Sequence, residues 1–297
     1  MTSGTVQTNG IEIAYESFGP DTGRPLLLVM GLGTQMLAWP EGFCELLVDR
    51  GFHVVRFDNR DVGLSTHLHD APLPDVMASL GGDTSSASYA LEDMADDAVG
   101  LLDGLGLPSA HVVGASMGGM IAQTMAIRHQ DRVRSLTSIM STPSPAIGAA
   151  TPEAIGVLLA PPATNREEEV QRVVAAYRVI GSPGYELDVE WLSDISGTAY
   201  DRSFDPTGVA RHLVAVHASG DRTAALAGVT APTLVIHGDS DPLVQLAGGE
   251  ATAAAIPGSE LMVLPGMGHN FPRELWPTVV DAIARVADQA DGDAPAS

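Results

Sequence analysis

Ala110-His-Val-Val-Gly-Ala-Ser-Met-Gly-Gly119 opens as an apolar strand, Ala110 to Val113, and turns at once into a helix that continues from Met117 to His129. Within it, Gly114-Ala-Ser-Met-Gly118 has the form G-x-S-x-G. The pentapeptide alone is a weak signal, because with 32 glycines roughly one chain in four of this composition carries it by chance. Its position between a strand and a helix makes it specific, since that is the context a nucleophile elbow requires. A sharp strand-to-helix turn forces the serine into strained backbone angles, and only small residues two before and two after it permit the close approach. Ser116 then stands at the carboxyl end of a sheet with a helix N-terminus beneath it, where backbone N–H groups stabilise a developing oxyanion.

Outward from this stretch, short apolar runs alternate with amphipathic ones. Ile11 to Phe18 alternates with period two, Pro25 to Met30 is a continuous apolar run, and His53 to Phe57 is a further strand. Helices are expected over Pro40 to Asp49, closed by Gly51, and over Tyr89 to Leu105. Strand, helix, strand, helix predicts an α/β fold with a mostly parallel central sheet flanked by helices. From Pro143 to about Thr230 the chain turns helical, with breaks at Pro161-Pro162 and Ser182-Pro-Gly184. Strands return at Pro232 to His237 and Glu260 to Leu264, and a last helix runs from about Pro272 to Asp288. The expected organisation is a core in two parts, 1–142 and 231–297, interrupted by a helical cap over 143–230. The acidic tail from about residue 289 is expected to fray.

Composition removes several chemistries. The 15 basic residues are all Arg and are set against 37 acidic ones, for a net charge of −22. Without Lys there is no Schiff base, no phosphate-loop lysine and no Ser-Lys dyad. The acidic balance argues against nucleic acid and against anionic membrane surfaces. A single cysteine, Cys44, allows neither an intramolecular disulfide nor a cysteine metal cluster. Met1 to Gly10 does not read as a secretory signal, and Pro25 to Gly33, the longest apolar run, is too short to span a bilayer. A cytoplasmic location is expected, without metal or organic cofactor.

A serine nucleophile needs a base, and the base needs an orienting acid. Of nine histidines, His53, His111 and His237 fall in strands, His129 closes a helix, and His212 and His217 belong to the helical region. His67 and His69 are two apart in a loop, with no third metal ligand evident from the sequence. His269 lies in Pro265-Gly-Met-Gly-His-Asn270, a glycine-rich loop directly after the last strand, at the functional edge of such a sheet. It is the expected base. Asp239 and Asp241, in Ile236-His-Gly-Asp-Ser-Asp-Pro242, are the candidates for the acid. Asp241 is preferred, because the following proline holds it extended, and Asp239 is read as the former of an Asx turn.

Ser116, Asp241 and His269 stand in the chain order of the α/β-hydrolase superfamily, which the chain resembles, with a helical cap. More narrowly it resembles the actinobacterial serine esterases that include aclacinomycin methylesterase and the lipase/esterase G type. The matching stretches are Leu26 to Gly31 with Trp39-Pro40, Arg56 to Ser65, Leu91 to Asp97, His111 to Gly119, Pro232 to Pro242, Gly266 to His269 and, in the cap, Ala199 to His212. The resemblance implies Ser116 as nucleophile, Asp241 as acid and His269 as base. It also implies an oxyanion hole from the N–H groups of Met117 and Leu32, supported by Gly31, Gly114 and Gly118. Met30-Gly31, a pairing that the methylesterase group also has, stands where many superfamily members have His-Gly.

The expected activity is carboxylesterase or lipase-type hydrolysis of small to medium apolar esters through an acyl-enzyme. Ile155, Val157, Leu158, Leu159 and Leu213 are candidate pocket residues from the cap. Arg60 and Asp61 are expected to pair with each other and fix the 58–65 turn. Two other readings compete. A carbon–carbon bond hydrolase of ring-cleavage products would need a cap arginine for its dicarboxylate, from Arg178, Arg202 or Arg211. A small-molecule receptor would keep the triad without turnover.

Overall fold

A computed structural model describes residues 1–292 of the chain. The elements run β1 (Thr2–Thr8), β2 (Ile11–Phe18), β3 (Arg24–Val29), α1 (Glu41–Val48), β4 (Phe52–Phe57), α2 (Val76–Leu80), α3 (Leu91–Gly104), β5 (Ala110–Ala115), α4 (Met117–Arg128) and β6 (Val133–Ile139). Helices α5 (Pro152–Leu158), α6 (Arg166–Ile180), α7 (Val189–Arg202), α8 (Pro206–Ala218) and α9 (Thr223–Leu226) follow. The chain then returns through β7 (Thr233–Gly238), α10 (Leu246–Ala255), β8 (Glu260–Leu264) and α11 (Trp276–Gly292).

The eight strands form one sheet in the order β1-β2-β4-β3-β5-β6-β7-β8. Pairings from β4 through to β8 are parallel, whereas β1–β2 and β2–β4 are antiparallel. The central strands are apolar along their length because helices cover both faces. Leu27, Val29, Val112 and Leu136 pack against α3 and α4 on one side, and Leu26, Leu28, Val113 and Ile236 against α1 and α11 on the other. Strand β3 lies between β4 and β5, so the chain departs in opposite directions from neighbouring strands β3 and β5. Such a reversal opens a crevice at the carboxyl ends of the strands. Both the turn after β3 and Ser116 lie there.

Two readings need correction. Thr2–Thr8, not expected as a strand, pairs along its whole length with Ile11–Phe18. Its residues are mostly polar and it is an edge strand, so no apolar alternation marks it; Val6 and Thr8 reach inward to Gly104 and Gly100 of α3. The last helix continues to Gly292, past the expected fray from about 289. Ion pairs explain this, since Asp288 meets Arg24 at 2.5 Å and Asp291 pairs with both Arg24 and Arg134. The rest of the expected tail, 293–297, lies outside the described residues.

Candidate active site

Ser116 has φ 56° and ψ −122°, a left-handed backbone that serine adopts only under constraint. The constraint is visible. Its N–H donates to the Ile139 carbonyl at 2.9 Å, and its own carbonyl accepts from Gly119 N–H, Met120 N–H and the Ser141 hydroxyl. A Cβ on Gly114 would sit 2.1 Å from the Gly118 carbonyl oxygen, and one on Gly118 would sit 2.1 Å from that of Val29. At Gly31 a Cβ would come within 3.1 Å of the Ser116 Cβ. Gly114 and Gly118 are therefore steric requirements of the elbow, and Gly31 packs closely against it.

His269 and Asp241 converge on Ser116 from the loops after β8 and β7. His269 Nδ1 lies 2.7 Å from Asp241 Oδ2, and its Nε2 lies 3.0 Å from Ser116 Oγ. The carboxylate can only accept, so Nδ1 carries the proton and the Nε2 lone pair faces the serine hydroxyl. Asp241 and His269 are both buried. The other Asp241 oxygen accepts from the N–H groups of Leu243 and Val244 at 2.8 and 2.9 Å, which forms an Asx turn. The turn former is thus Asp241 itself. Asp239, expected in that role, instead accepts the Gly266 N–H at 2.8 Å and braces the histidine loop. Behind Asp241, the buried His237 donates to the Val244 carbonyl at 2.7 Å; burial pushes its pKa down, so the ring stays neutral.

Met117 follows Ser116 directly, and Leu32 follows Gly31, which packs against Ser116. Among the described residues, neither backbone N–H donates to a protein acceptor. Met117 is the first residue of α4, where an N–H has no partner inside the helix.

These groups open onto a cavity of about 1160 Å³. Trp39, Phe43, Phe271 and Trp276 form its aromatic wall on the sheet side, with centroid spacings of 5.5 to 6.0 Å. The α5–α9 segment contributes Val157, Leu158, Leu159 and Leu213, as expected, together with Trp191, Tyr200 and Phe204. Ile155 does not line the cavity and is 42% exposed.

Other sequence expectations resolve differently. Arg60 and Asp61 do not pair with each other. Arg60 forms a two-pronged bond to Asp97, and Asp61 a two-pronged bond to Arg211 of α8, with Tyr89 donating to the same carboxylate. Burial alone would raise the Asp61 pKa; the bonds from Arg211, the Leu68 N–H and Tyr89 outweigh it and hold the pKa at about 2. Asp61 has φ 64°, which aims its carboxylate away from Arg60. His67 and His69 do acquire a neighbouring carboxylate, Asp205. It caps α8 through the Thr207 and Gly208 N–H groups, binds His67 at 2.8 Å and lies 3.7 Å from Arg211, whose charge opposes a cation there. Arg202 and Arg211 are held by Asp58 and Asp61, and Arg178 lines a separate cavity of about 400 Å³. None of the three is available to a dicarboxylate in the main cavity. Buried Cys44 has its pKa pushed up to about 12 by desolvation, against nearby Arg56, and is unreactive. Ser182, read only as part of a helix break, and His212, read only as a helical residue within the matching cap stretch, both contact the site's loops; neither was assigned a role from the sequence.

Residues 24–175 match the family described as alpha/beta hydrolase fold. The chain belongs to this family. Rhodomycin D methylesterase from Streptomyces peucetius is 26% identical over 305 residues, covering 95% of this chain and 97% of that protein. The 2-hydroxymuconate semialdehyde hydrolase of a Pseudomonas species is 34% identical over 117 residues, but over only 38% of this chain and 35% of that protein. Among solved structures, a thermophilic esterase from Thermogutta terrifontis is 28% identical with a TM-score of 0.71, covering 98% and 99% of the two chains. An enol-lactonase from Burkholderia xenovorans shares the fold at 23% identity, a TM-score of 0.72 and 98% and 100% coverage. Among the described residues of this α/β hydrolase, no helix is long and apolar enough to cross a membrane.

Proposed function

We propose that this protein is a serine carboxylesterase that works through Ser116, His269 and Asp241, with Leu32 and Met117 as oxyanion donors, on carboxylic esters with a bulky apolar portion. The observation that carries the reading is the continuous bond path Asp241–His269–Ser116, at 2.7 and 3.0 Å, beneath a large apolar cavity. His269 takes the serine proton as Oγ attacks the ester carbonyl, and Asp241 stabilises the imidazolium. The tetrahedral oxyanion is held by the two N–H groups, and collapse releases the alcohol, protonated by His269. Water then repeats the sequence on the acyl-enzyme and frees the acid. The helices α5–α9, over about residues 143–230, act as the cap that closes over the substrate.

The cavity exceeds the roughly 300–1,000 Å³ of common small-molecule sites, so the small to medium ester expected from sequence leaves it part empty. Together with the methylesterase relatives, this favours a methyl or other small-alcohol ester of a bulky, apolar acid. Steady-state hydrolysis of p-nitrophenyl esters from acetate to laurate, and of methyl acetate against a methyl ester of a polycyclic aromatic acid, tests both parts. Turnover by wild type, with Ser116→Ala reduced by about 10⁴-fold or more, supports the triad. A kcat/KM at least ten times higher for the polycyclic methyl ester supports the size assignment. Equal rates for Ser116→Ala and wild type contradict the triad, and a preference for methyl acetate contradicts the size assignment.

A further inference from the structure

Helix α8 meets the turn after β3 through two residues one helical turn apart, Val209 and His212. Gly33 of that turn has φ +63°, and a Cβ on it would lie 2.8 Å from the Val209 methyl carbons. His212 has no solvent exposure, and its ring sits between two backbone groups. Its Nδ1 lies 3.1 Å from the Gly33 N–H, and its Nε2 lies 2.7 Å from the Arg60 carbonyl oxygen. An amide N–H only donates and a carbonyl only accepts, so the ring is neutral, bare at Nδ1 and protonated at Nε2. Burial agrees, pushing its pKa down to about 4 against the opposing pull of the Arg60 carbonyl.

The bond from Gly33 holds the Leu32–Gly33 peptide by its N–H. The other end of that peptide, the Leu32 carbonyl, accepts the Thr34 hydroxyl at 3.1 Å. The preceding peptide is held by the Gly31 carbonyl, which accepts the Thr34 N–H at 3.3 Å. The Leu32 N–H is the other end of this Gly31–Leu32 peptide, directly joined to the peptide that His212 holds; among the described residues it has no protein acceptor, and Gly31 lies against Ser116. The geometry points to His212 as a positioning residue that aims the Leu32 N–H at the tetrahedral oxyanion. This role rests on the reading of Leu32 and Met117 as oxyanion donors. His212 does not line the cavity, so it acts on the substrate only through the turn. The helix that roofs the substrate therefore also sets one half of the oxyanion hole.

The test compares wild type, His212→Leu and His212→Gln on one p-nitrophenyl ester, with the affinity of phenylboronic acid measured beside kcat and KM. A boronate forms a tetrahedral adduct on the serine, so it reads the oxyanion hole, whereas KM reads ground-state binding. Misplacing one oxyanion donor costs up to about 10²–10³ in kcat. His212→Leu is expected to lose about 10- to 100-fold in kcat, with KM within about threefold and boronate affinity weakened by a similar factor. Glutamine carries an acceptor and a donor at similar spacing to the ring nitrogens, and His212→Gln is expected to stay within about fivefold of wild type. Wild-type kcat in the leucine variant, or equal losses in both variants, overturns the proposal. Should the leucine variant fail to fold, the ¹⁵N shifts of the His212 ring in the wild-type protein decide: a proton on Nε2 supports the role and a proton on Nδ1 overturns it. Ser116→Ala in the same assay separates the two readings, since its retention of activity removes the triad and leaves the His212 comparison without an object.

Discussion

Two seams join the proposed cap to the sheet, and they are made of different bonds. On the oxyanion side α7 and α8 are fastened by charge, Arg211 to buried Asp61 and Arg202 to buried Asp58, and His67 is hydrogen-bonded to Asp205 at the start of α8. On the histidine side the segment 180–185, between α6 and α7, is fastened mainly through backbone groups. The Ile180 carbonyl accepts the His269 N–H at 2.7 Å, and the Gly184 N–H donates to the Gly266 carbonyl at 2.9 Å. Ser182 Oγ accepts from Gly268 and donates to Asn270 Oδ1. The difference teaches where each loop's rigidity comes from. The charged seam fixes the loop after β4, which His212 joins to the turn carrying Leu32, and loses heavily if one partner is removed. The backbone seam fixes His269 and is sensitive to added volume.

The largest expected effect comes from opening the charged seam. Arg211→Met leaves Asp61 buried and unpaired, at a cost of about 3–5 kcal/mol, read as a lower denaturant midpoint. Asp61 also predicts a pH signature. Its pKa is depressed to about 2 in the folded protein, so its contribution is present above the unfolded value near 4 and is lost as pH falls towards 2. Asp61→Asn should therefore flatten the loss of stability between about pH 4 and pH 2; an unchanged slope would remove the seam from the account.

On the other seam, a Cβ on Gly268 would sit 2.2 Å from the Gly181 carbonyl oxygen. Gly268→Ala is expected to cost about 1–3 kcal/mol and, by displacing His269, on the order of 100-fold in kcat. Ser182→Ala removes two hydrogen bonds at about 1 kcal/mol each and should lower kcat only a few-fold, since the Ile180 bond remains. A larger kcat loss for Ser182→Ala than for Gly268→Ala would show that side chains, not backbone, carry this seam. Arg285→Ala breaks an exposed pair with Glu260 remote from both seams and should change stability by less than about 1 kcal/mol.

The sheet and the grouping of Ser116, His269 and Asp241 were legible because their signals are local. Apolar runs such as Leu26–Val29 mark strands buried on both faces, and Ser116, Asp241 and His269 each follow a strand in a glycine-rich or turn-forming stretch. The seams were not legible, because a partner 150 residues away leaves no trace in spacing. Arg60 and Asp61 are adjacent in sequence, which suggested a pair, yet the left-handed backbone at Asp61 turns it towards Arg211. His212 looked like any other helical histidine, because its partners are backbone groups with no side-chain signature. Strand β1 was missed for the related reason that an edge strand with one inward valine needs no alternation.

The central claim is that Ser116 is a nucleophile activated by His269, and covalent labelling tests it most directly. The protein is incubated with a p-nitrophenyl alkylphosphonate, digested and analysed by mass spectrometry, with Ser116→Ala treated in parallel. Release of one equivalent of p-nitrophenol, with the phosphonyl mass on the peptide containing Ser116 and none on the alanine variant, is the predicted result. An unlabelled Ser116 peptide in wild type, or equal labelling of the alanine variant, would contradict it.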